Sequence, residues 1–440
     1  MTYQQTLDYL YEKLPMFTRV GAAAYKANLD NTILLCKELG NPQLCFKTVH
    51  IAGTNGKGSC SNLLAIAFQK AGYKTGLYTS PHIFDFRERI KIDGIDVSQE
   101  YVVAFVQAHQ ELIESVKPSF FEITVAMAFH FFAEQKVDIA IVEVGLGGLL
   151  DSTNIIMPEL SIITNISNDH AYLLGNSLQE IATQKAGIIK KNVPVIIGET
   201  QTEIQNIFIT SAIMHESPIF FADNSYSDVH VEMREGIQFV KIIDKARMQV
   251  LEIGTDLMGR YQSKNIITVL KAMDVLSSLG WNLGRIDLST VFQHCMKTLK
   301  FKGRFDIIQQ KPLIILDVSH NEAGIAALLQ QVSKLEVKRK HIVMGFVKDK
   351  TLEHILQLFP ENASYYFLQA SIPRALPRQD LQQMASNYLL QGDAYNSITA
   401  GIEAALKHAG PDDLILVTGS FFILEEAYHF FEKNLDYKNR

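Results

Sequence analysis

The stretch Thr48-Val-His-Ile-Ala-Gly-Thr-Asn-Gly-Lys-Gly-Ser59 decides the fold of this chain. An apolar, β-branched run leads into three closely spaced glycines, and an apolar helical pattern follows them. Glycines allow a tight turn whose backbone N–H groups point inward, and a helix N-terminus adds positive potential. Lys57 adds a cation and Ser59 adds a hydroxyl. The stretch therefore predicts a phosphate-binding loop between a strand and a helix.

This loop differs from the common pattern G-x-x-x-x-G-K-[ST], because Ile51 stands where the first glycine would be and Gly58 follows Lys57. It matches a shorter variant, G-T-N-G-K-G-S. The alternative is a glycine-rich turn whose lysine is merely solvated, but strand, glycines, lysine and helix coincide and favour phosphate binding. A second glycine run, Gly145-Leu-Gly-Gly-Leu-Leu-Asp151, lacks the last glycine of the dinucleotide pattern G-x-G-x-x-G, so an NAD site is not predicted.

The composition is that of a soluble globular protein of 440 residues, a length that favours two domains. The net charge of −6 argues against a nucleic-acid partner, which would require a basic surface. The four cysteines form no C-x-x-C pair, so we expect buried free thiols in a reducing compartment. With no signal peptide and no membrane-spanning run apparent, we expect a cytoplasmic protein, and we expect a monomer.

Short apolar runs alternate with helical patterns such as 61–71, which predicts an α/β fold with mostly parallel sheet. The middle, at about 217–253, reads instead as short antiparallel strands with a turn at Glu235-Gly236. A helical pattern follows at about 262–279, and a second α/β series begins near residue 313. We therefore predict an N-terminal domain with the phosphate loop at 1–300 and a smaller, Rossmann-like α/β domain at 301–440. The predicted apolar strands are 48–52, 75–79, 139–144, 160–166, 193–198, 313–318, 341–345, 365–368 and 414–418.

Polar side chains follow several of these strands, at the sheet edge where α/β proteins bind ligands. Glu143 ends an apolar strand, and if its charge is buried a magnesium ion would compensate it; the alternative is a strand-end acid that reaches solvent. Ser80 and His170 also come directly after strands, but alone they could equally be a turn residue and a structural histidine. Lys185, taken alone, reads as a solvated helix lysine.

Together, these and further motifs resemble the folylpolyglutamate synthase/dihydrofolate synthase family of the Mur-ligase superfamily. The resemblance covers nearly the whole chain, and the motifs stand in the order found in that family. They are Gly53–Ser59, Thr79-Ser-Pro-His82, Glu88-Arg-Ile90, Glu143-Val-Gly-Leu-Gly-Gly148, Asp151-Ser-Thr-Asn154, Asp169-His170, Lys185-Ala-Gly-Ile-Ile189, Gly259-Arg-Tyr-Gln-Ser-Lys-Asn265, Gly303-Arg-Phe305, Asp317-Val-Ser-His-Asn321 and Gly419-Ser-Phe-Phe422.

The resemblance implies an ATP site and magnesium, and we expect two magnesium ions. Lys57 and the loop amides would hold the phosphates, Asn265 would contact the base, and Arg304 and Asp317 would reach phosphate and ribose. The implied ATP-binding residues are Thr54, Asn55, Gly56, Lys57, Gly58, Ser59, Asn265, Arg304 and Asp317. The implied magnesium ligands are Ser80, Glu143 and His170.

The resemblance also implies a modified lysine and two substrate sites. Lys185 would be carboxylated by CO2, which makes physical sense because a bare ammonium would repel nearby magnesium. His320 and Ser420 would place L-glutamate. Lys57, Lys185 and His320 would be the catalytic residues. The implied contacts to a pterin or folate are Arg89 in the loop after Ser80, Phe121, Glu122, Leu150, Asp151 and Ser152. Taken alone, Phe121 could be helix core and Arg89 a solvated charge.

The sequence departs from the family pattern at two places. Leu149 stands where the glycine run usually continues with arginine, so a cation near the substrate is missing or comes from elsewhere. The usual Asp-Gly-Ala-His-Asn-Pro is here Asp317-Val-Ser-His-Asn-Glu322, which keeps Asp317 and His320 but changes the turn.

The expected activity is an ATP-dependent amide ligation that adds L-glutamate to dihydropteroate, to the glutamate tail of reduced folates, or to both, through an acyl phosphate. One alternative is a cell-wall amino-acid ligase that acts on a UDP-linked sugar peptide, which Thr79-Ser-Pro-His82 and the Lys57-Gly58-Ser59 sequence disfavour. The other is an ATP-dependent switch or binding module that ligates nothing, which the additional motifs at Lys185 and Asp317 disfavour.

Overall fold

A computed structural model of the chain describes residues 1–16, 21, 26, 28–284, 286–348 and 352–434. The chain forms two compact units. The first comprises Met1–Ser167, Ala171–Leu257 and Tyr261–Phe301, and the second comprises Asn168–His170, Met258–Arg260 and Lys302–Arg440. The predicted division into domains 1–300 and 301–440 stays a prediction. The two compact units do not follow it completely, because two short segments from before residue 300 group with the second unit.

The first unit contains an eight-stranded sheet in the order β4-β3-β2-β5-β1-β6-β7-β8. Six of these strands pair with their neighbours in parallel, and they follow one another in the order β2-β5-β1-β6-β7-β8. Strands β3 and β4 pair in antiparallel fashion and form one edge of the sheet. Parallel sheet is covered on both faces, which explains the near-continuous apolar runs of its central strands. The strands are β1 Lys47–Ala52, β2 Thr75–Tyr78, β3 Ile90–Ile92, β4 Ile95–Asp96, β5 Ile139–Glu143, β6 Leu160–Ile163, β7 Val195–Ile197 and β8 Ile219–Phe221.

Helices cover both faces of this sheet. The first unit has α1 Tyr3–Lys13, α2 Asp30–Glu38, α3 Lys57–Lys70, α4 Gln99–Ala108, α5 Gln110–Val116, α6 Phe120–Glu134, α7 Ala171–Leu174, α8 Leu178–Ala186, α9 Gln205–Met214, α10 Ala222–Ser225, α11 Gln262–Ser278 and α12 Cys295–Leu299. Short 3-10 helices occur at Pro42–Leu44, Phe86–Arg89 and Ser152–Ile155.

The helix after the phosphate loop is longer and more deeply buried than its sequence pattern predicts. We expected a helix over 61–71 with one apolar face, but α3 begins at Lys57 because Gly56 provides its N-cap. Every residue from Gly58 to Phe68 is buried. The cause is that α3 packs between the sheet and α11, so that the helix has no solvent-facing side in this stretch.

Two apolar clusters lie on opposite faces of the sheet, because alternate residues of a strand point to opposite faces. In β5, Ile139 and Ile141 belong to the cluster formed with α3 and α11, whereas Ala140 and Val142 belong to the cluster formed with α6. Three of the four cysteines are buried as predicted. Cys45 is exposed, contrary to the expectation, because it follows a 3-10 helix at the surface.

The antiparallel region predicted for the middle of the chain is confirmed in its larger part. Strands β9 Tyr226–Arg234, β10 Ile237–Asp244 and β11 Gln249–Thr255 form a sheet in the order β11-β10-β9, with the β9–β10 turn at Glu235 and Gly236. The start of the region is different, because β8 pairs in parallel with β7 and so continues the large sheet. A three-residue apolar run cannot reveal its pairing partner from sequence.

The second unit contains a six-stranded sheet in the order β12-β13-β17-β14-β15-β16. All neighbours pair in parallel except β12, which forms an antiparallel edge. The predicted α/β fold class is therefore confirmed. No helix in the described part of the chain is long and apolar enough to cross a membrane. The elements are β12 Asp306–Gln310, β13 Leu313–Leu316, α13 Glu322–Val332, β14 Lys340–Met344, α14 Glu353–Leu356, β15 Ser364–Phe367, α15 Arg378–Ser386, β16 Gly392–Ala394, α16 Ile398–His408, β17 Leu414–Thr418 and α17 Phe421–Asn434.

Candidate functional site

The glycine-rich loop lies between β1 and the N-terminus of α3, as its sequence predicts. Gly53 and Gly56 have φ of +142° and +85°, which side-chain-bearing residues rarely adopt. A Cβ atom on Gly53 would lie 1.8 Å from Thr164 Oγ1, so the loop backbone contacts the end of β6 directly. Gly58 belongs to the first turn of α3 and has room for a Cβ atom. The expectation that all three glycines form the turn is therefore wrong for Gly58.

Hydrogen bonds hold this loop against the segment that follows β6. The backbone N–H of Thr54 donates to the Asn165 carbonyl at 2.8 Å, and that of Asn55 donates to Asn165 Oδ1 at 3.0 Å. The Thr54 hydroxyl also donates to the Ser167 carbonyl at 3.1 Å. The loop shape is thus fixed by the protein itself, which lowers the cost of organising it around a ligand.

Two lysine side chains meet at one carbonyl of this loop. Lys57 Nζ donates to the carbonyls of Gly53 and Thr54, both at 3.1 Å. Lys185 Nζ donates to the same Gly53 carbonyl at 2.8 Å, and Lys185 is only 4% exposed. The solvated-lysine interpretation of Lys185 is therefore wrong. Ser59 lies buried in the first turn of α3, next to Lys57.

Asn265 and Glu143 also lie beside this loop. A Cβ atom on Gly56 would be 2.3 Å from Asn265 Oδ1, and Asn265 Nδ2 donates to Gln262 Oε1 at 2.7 Å. A Cβ atom on Gly58 would be 3.8 Å from Glu143 Oε2. The first unit thus brings together the phosphate loop, Asn265, Glu143 and Lys185.

Ser80 contacts the carboxylate of Glu143. The backbone N–H of Ser80, which follows β2, donates to Glu143 Oε2 at 3.2 Å. Glu143 is at the carboxyl end of β5 and only 4% exposed, so its charge lies in a buried environment. A buried carboxylate beside a serine offers the oxygen ligands that magnesium prefers.

Arg89 is buried, so the solvated-charge alternative is wrong, while its contact with the acceptor stays a prediction. It ends the 3-10 helix Phe86–Arg89, and its Nε donates to His82 Nδ1 at 2.7 Å. Its guanidinium lies over the Phe120 ring at 5.3 Å. Burial lowers the pKa of Arg89 and, together with the positive charge of Arg89, lowers the pKa of His82 well below its usual range. His82 is therefore a neutral acceptor.

Phe121 lies at the edge of the helix core rather than within it. Its side chain is half-buried, and its ring centroid is 6.1 Å from that of Tyr78. A Cβ atom on Gly145 would lie 2.3 Å from Phe121 Cζ. The start of the second glycine run therefore lies directly against this ring.

The carboxylates of Glu122 and Asp151 both accept hydrogen bonds from the protein. Glu122 Oε2 accepts the N–H of Ser119 at 2.6 Å in a capping box, and also accepts from Asn31 at 3.2 Å. Asp151 caps the 3-10 helix Ser152–Ile155 and accepts the N–H of Leu146 at 2.8 Å. Burial raises the pKa of Asp151, against the opposing effect of these hydrogen bonds. Both residues thus have structural roles that the sequence did not reveal.

The glycine run packs against α8, the helix that carries Lys185. The N–H of Leu149 donates to the Gln184 carbonyl at 2.8 Å. A Cβ atom on Gly148 would lie 2.8 Å from that carbonyl oxygen and 3.1 Å from Lys185 Cα. Glycine at 148 is therefore required by close backbone packing, and not by a bound dinucleotide.

In the second unit, Asp317 organises the backbone around Arg304. Asp317 is 1% exposed, and its carboxylate accepts the N–H groups of Phe305 at 2.7 Å and Ser319 at 2.8 Å. The Arg304 guanidinium lies 5.7 Å from the centre of the Phe421 ring. Asp317 thus fixes the residue next to Arg304, a role that the prediction did not include.

His320 lies beside the same aromatic ring, and Ser420 directly precedes the residue that carries it. His320 Nδ1 donates to the Val318 carbonyl at 2.8 Å, which directs Nε2 toward Asp169 Oδ2 at 3.5 Å. The His320 ring centre is 5.7 Å from that of Phe421. Ser420 is buried, and its hydroxyl accepts the N–H of Phe422.

Asp169 connects three side chains of the second unit. It lies 3.9 Å from His170 Nε2 and 3.5 Å from His320 Nε2, and it accepts from Asn321 Nδ2 at 3.1 Å. His170 itself has a left-handed backbone with φ of +52°. The motif Asp169-His170 was noted in the sequence, but Asp169 was not among the predicted site residues. The sequence did contain a signal for Asp169, because this acid directly precedes His170, a predicted magnesium ligand.

The chain matches two domain families over most of its length. Residues 51–273 match the Mur ligase middle domain, and residues 303–421 match the Mur ligase glutamate ligase domain. The dihydrofolate synthase/folylpolyglutamate synthase of Bacillus subtilis is 31% identical over 96% of this chain and 98% of its own length. The folylpolyglutamate synthase of Lacticaseibacillus casei is 30% identical over 96% of this chain and 97% of its own.

The chain belongs to the folylpolyglutamate synthase/dihydrofolate synthase family. Solved structures of this family share its fold. The Mycobacterium tuberculosis folylpolyglutamate synthase complexed with ADP and AMPPCP has a TM-score of 0.83 at 26% identity and covers 98% of this chain and 99% of its own. The Thermotoga maritima folylpolyglutamate synthase has a TM-score of 0.79 at 30% identity and covers 99% of each chain.

Leu149 stands where the family pattern has arginine, and it directly precedes the residues predicted to contact the acceptor. Its side chain is 42% exposed, although its backbone N–H is bonded to α8. The neighbouring Leu150 and Ser152 are half-buried. The local backbone therefore keeps its packing without arginine, and the lost positive charge is the main consequence of the change.

We predict that Gly148→Ala lowers turnover by roughly 10- to 100-fold, because the added methyl group would displace Lys185 by pushing on the backbone of α8. Gly284→Ala is the matched control, since a Cβ atom there has no neighbour within 4 Å. Steady-state ADP release measures the effect, and thermal unfolding verifies that both variants fold. Normal turnover of a folded Gly148→Ala variant would contradict the proposed link between the glycine run and Lys185.

Proposed function

We propose that this chain uses ATP to join L-glutamate to a dihydropteroate or folate carboxylate, with release of ADP and phosphate. The observation that carries the proposal is the meeting of Lys57 and Lys185 at the Gly53 carbonyl of the phosphate loop. Family membership supports the ligase chemistry and the folate-type acceptor. The proposal includes glutamate as the amino acid, a monomeric state and action in the cytoplasm.

The chemistry requires activation of a carboxylate, which is a poor acyl donor. A carboxylate oxygen attacks the γ-phosphorus of ATP, the bond to the bridging oxygen breaks, and ADP leaves. The amine of glutamate then attacks the acyl carbon, an amide bond forms, and phosphate leaves as the amine loses a proton. Exclusion of water from the acyl phosphate prevents its hydrolysis.

The phosphate loop would supply most of the binding energy for ATP. Backbone N–H groups at the start of α3 would face the phosphates, where the helix dipole favours negative charge. Lys57 would exchange its loop carbonyls for phosphate oxygens, since an ammonium binds an anionic oxygen more strongly than a neutral carbonyl. Asn265, Arg304 and Asp317 would contact the rest of the nucleotide.

Ser80 and Glu143 of the first unit suit magnesium, and the family resemblance adds His170 as a further ligand in this proposal. Ser80 and Glu143 are in contact, and the Glu143 carboxylate lies beside the phosphate loop. In the described ranges, no three His, Cys, Asp or Glu side chains cluster closely enough to hold a metal by themselves. Bound magnesium, two ions in this proposal, would neutralise charge that develops on the transferring phosphoryl group.

The burial of Lys185 and its bond to the phosphate loop support the proposal that this lysine is carboxylated by CO2. Its ammonium would first lose one proton. The neutral nitrogen would then form a bond to the carbon of CO2 and lose a second proton, and the resulting carbamate would keep one N–H for the Gly53 carbonyl. The positive charge near Lys57 would become negative, which favours nearby magnesium. The modification would therefore relieve the repulsion between the two lysines.

The acceptor would lie beside Arg89, Phe121 and the segment of residues 145–154. Arg89 carries a buried charge next to a neutral histidine and an aromatic ring, an environment in which an anionic group of the acceptor would be a strong partner. Phe121 offers a half-buried ring for stacking. Glu122, Leu150, Asp151 and Ser152 would complete this subsite, while His320 and Ser420 would place glutamate.

The proposed function predicts that the purified protein releases ADP with magnesium, glutamate and either dihydropteroate or a reduced folate. An ADP-release assay that compares the two acceptors shows which reaction occurs, and mass spectrometry of the product shows addition of one glutamate. ADP release with a UDP-linked sugar peptide instead would favour the cell-wall ligase. ATP binding without ADP release in the presence of any of these acceptors would favour the non-ligating switch.

Lys57→Ala should lower ligation by roughly 100-fold or more, because the variant lacks the cation proposed to stabilise the phosphoryl group. The fold should remain intact, since Lys57 bonds only loop carbonyls among the contacts described. Lys70→Ala is the matched control, because Lys70 is an exposed residue at the other end of α3. Near-normal turnover of Lys57→Ala would exclude the phosphate-loop assignment.

Carboxylation of Lys185 predicts that activity falls when bicarbonate and CO2 are removed and returns when they are restored. Lys185→Arg should be inactive and insensitive to bicarbonate, whereas Lys191→Arg, at an exposed neighbouring lysine, should behave like the wild type. Mass spectrometry at neutral pH should detect the added CO2 on Lys185, since acid would remove it. Full activity without bicarbonate would contradict the modification.

A further inference from the structure

His50 is a buried histidine at the centre of the large sheet that the reaction described above does not use. It lies in β1, three residues before Gly53, and is 0% exposed. Its Nε2 is 2.8 Å from the hydroxyl oxygen of Thr153. His50 therefore connects the strand that leads into the phosphate loop with the segment that follows the second glycine run.

The hydrogen bonds from His50 run in one direction. Thr153 Oγ1 lies 2.5 Å from Asp151 Oδ1 and donates its single proton to that carboxylate. The hydroxyl must then accept from His50, so the proton of the ring lies on Nε2. Burial, with a contribution from the charge of Lys190, lowers the pKa of His50 to about 3, so the ring is neutral at physiological pH. The order is His50 to Thr153 to Asp151.

Packing alone does not account for a histidine at this position. Among the described residues, His50 Nδ1 has no hydrogen-bond partner, although it is buried. A buried polar atom without a partner costs stability, and an apolar side chain in the same strand would avoid that cost. The compensating feature of His50 is its bond to Thr153. This bond is therefore the physical reason for a histidine here.

The chain of hydrogen bonds ends at the residues proposed to bind the acceptor. Asp151 accepts from Thr153 with one oxygen, Oδ1, and from the N–H of Leu146 with the other, Oδ2. The carboxylate thereby closes the segment of residues 145–154 into one loop. Without the donor from His50, the Thr153 hydroxyl could rotate away from Asp151, and the carboxylate would be held by the backbone N–H groups of Leu146 and Thr153 alone.

We propose that His50 is a positioning residue that acts through Thr153 to hold Asp151, and with it the loop of residues 145–154, in the shape that receives the acceptor. This inference rests on the proposed function for the identity of the acceptor as a pterin or folate. His50 touches neither ATP nor the acceptor in this account. Its effect should therefore appear in acceptor binding and leave ATP binding unchanged.

Two pairs of substitutions test the proposal. A glutamine side chain can place an N–H donor near the position of His50 Nε2, whereas asparagine is too short to do so. Likewise, Thr153→Ser keeps the hydroxyl and Thr153→Val removes it at nearly constant volume. We expect His50→Asn and Thr153→Val each to raise the KM for the acceptor roughly 10-fold, with the KM for ATP unchanged. His50→Gln and Thr153→Ser should remain close to the wild type.

The double variant His50→Asn/Thr153→Val should be no worse than either single variant, because both interrupt the same chain of hydrogen bonds. Additive effects, or equal increases in the KM for ATP and for the acceptor, would overturn the proposal. So would a folded Thr153→Val variant with an unchanged acceptor KM.

Hydrogen–deuterium exchange tests the positioning role of His50 independently of the proposed function, because the measurement does not require an active enzyme. The amides of Leu146 and Thr153 should exchange faster in His50→Asn and Thr153→Val than in the two conservative variants, while the amides of residues 54–58 should not change. If the wild type ligates none of the acceptors but this exchange pattern appears, the proposed function fails and the positioning role of His50 stands. Unchanged exchange in His50→Asn would refute the positioning role whatever the wild type catalyses.

Discussion

The carbonyl oxygen of Gly53 is the contact on which the site in the first unit depends. It accepts hydrogen bonds from Lys57 in the first turn of α3 and from Lys185 in the last turn of α8. Two lysine side chains thus meet at a helix N-terminus, where the backbone N–H groups add positive potential, and the Glu143 carboxylate lies beside the same loop. A helix N-terminus with two lysines suits the phosphates of ATP, and a nearby carboxylate suits a cation that accompanies them.

The second glycine run links this positive region to the acceptor side. It touches Phe121 at Gly145, donates to α8 at Leu149 and is closed by the carboxylate of Asp151. One short segment thus contacts the helix that carries Lys185 and also contains three of the proposed acceptor residues. The same segment therefore packs against the helix of Lys185 and forms part of the proposed acceptor subsite. Their positions should depend on each other even where their side chains do not touch.

The sequence predicted the α/β fold and the place of the phosphate loop, because apolar periodicity and glycine spacing are local properties of the chain. It could not predict burial that arises from tertiary packing. Lys185 and Arg89 both looked solvated in isolation, yet neighbouring elements cover each of them. Likewise, only the packing of α11 makes α3 buried on all sides, and only the partner strand makes β8 parallel.

The roles of the predicted site residues also differ in how far the sequence alone reveals them. The resemblance assigned Asp317, Glu122 and Asp151 to ligands, and those assignments stay predictions. The structure adds that all three carboxylates accept hydrogen bonds from nearby N–H groups. The signal for His50 was present in the sequence, as a polar residue inside an apolar strand, but its partner Thr153 is 103 positions away. Only the fold brings that pair together.

The burial of α3 on all sides has a consequence for motion. Loops that bind nucleotides often open by local unfolding of a weakly packed neighbour. Here the neighbour is a helix that is buried from Gly58 to Phe68 and contributes Cys60 and residues 63–68 to an apolar cluster with the sheet and α11, so its separation from the sheet would disrupt that cluster. The phosphate loop should therefore be among the last parts of the first unit to fluctuate. Exchange of nucleotide must then depend on movement elsewhere in the protein, while the loop itself keeps one conformation.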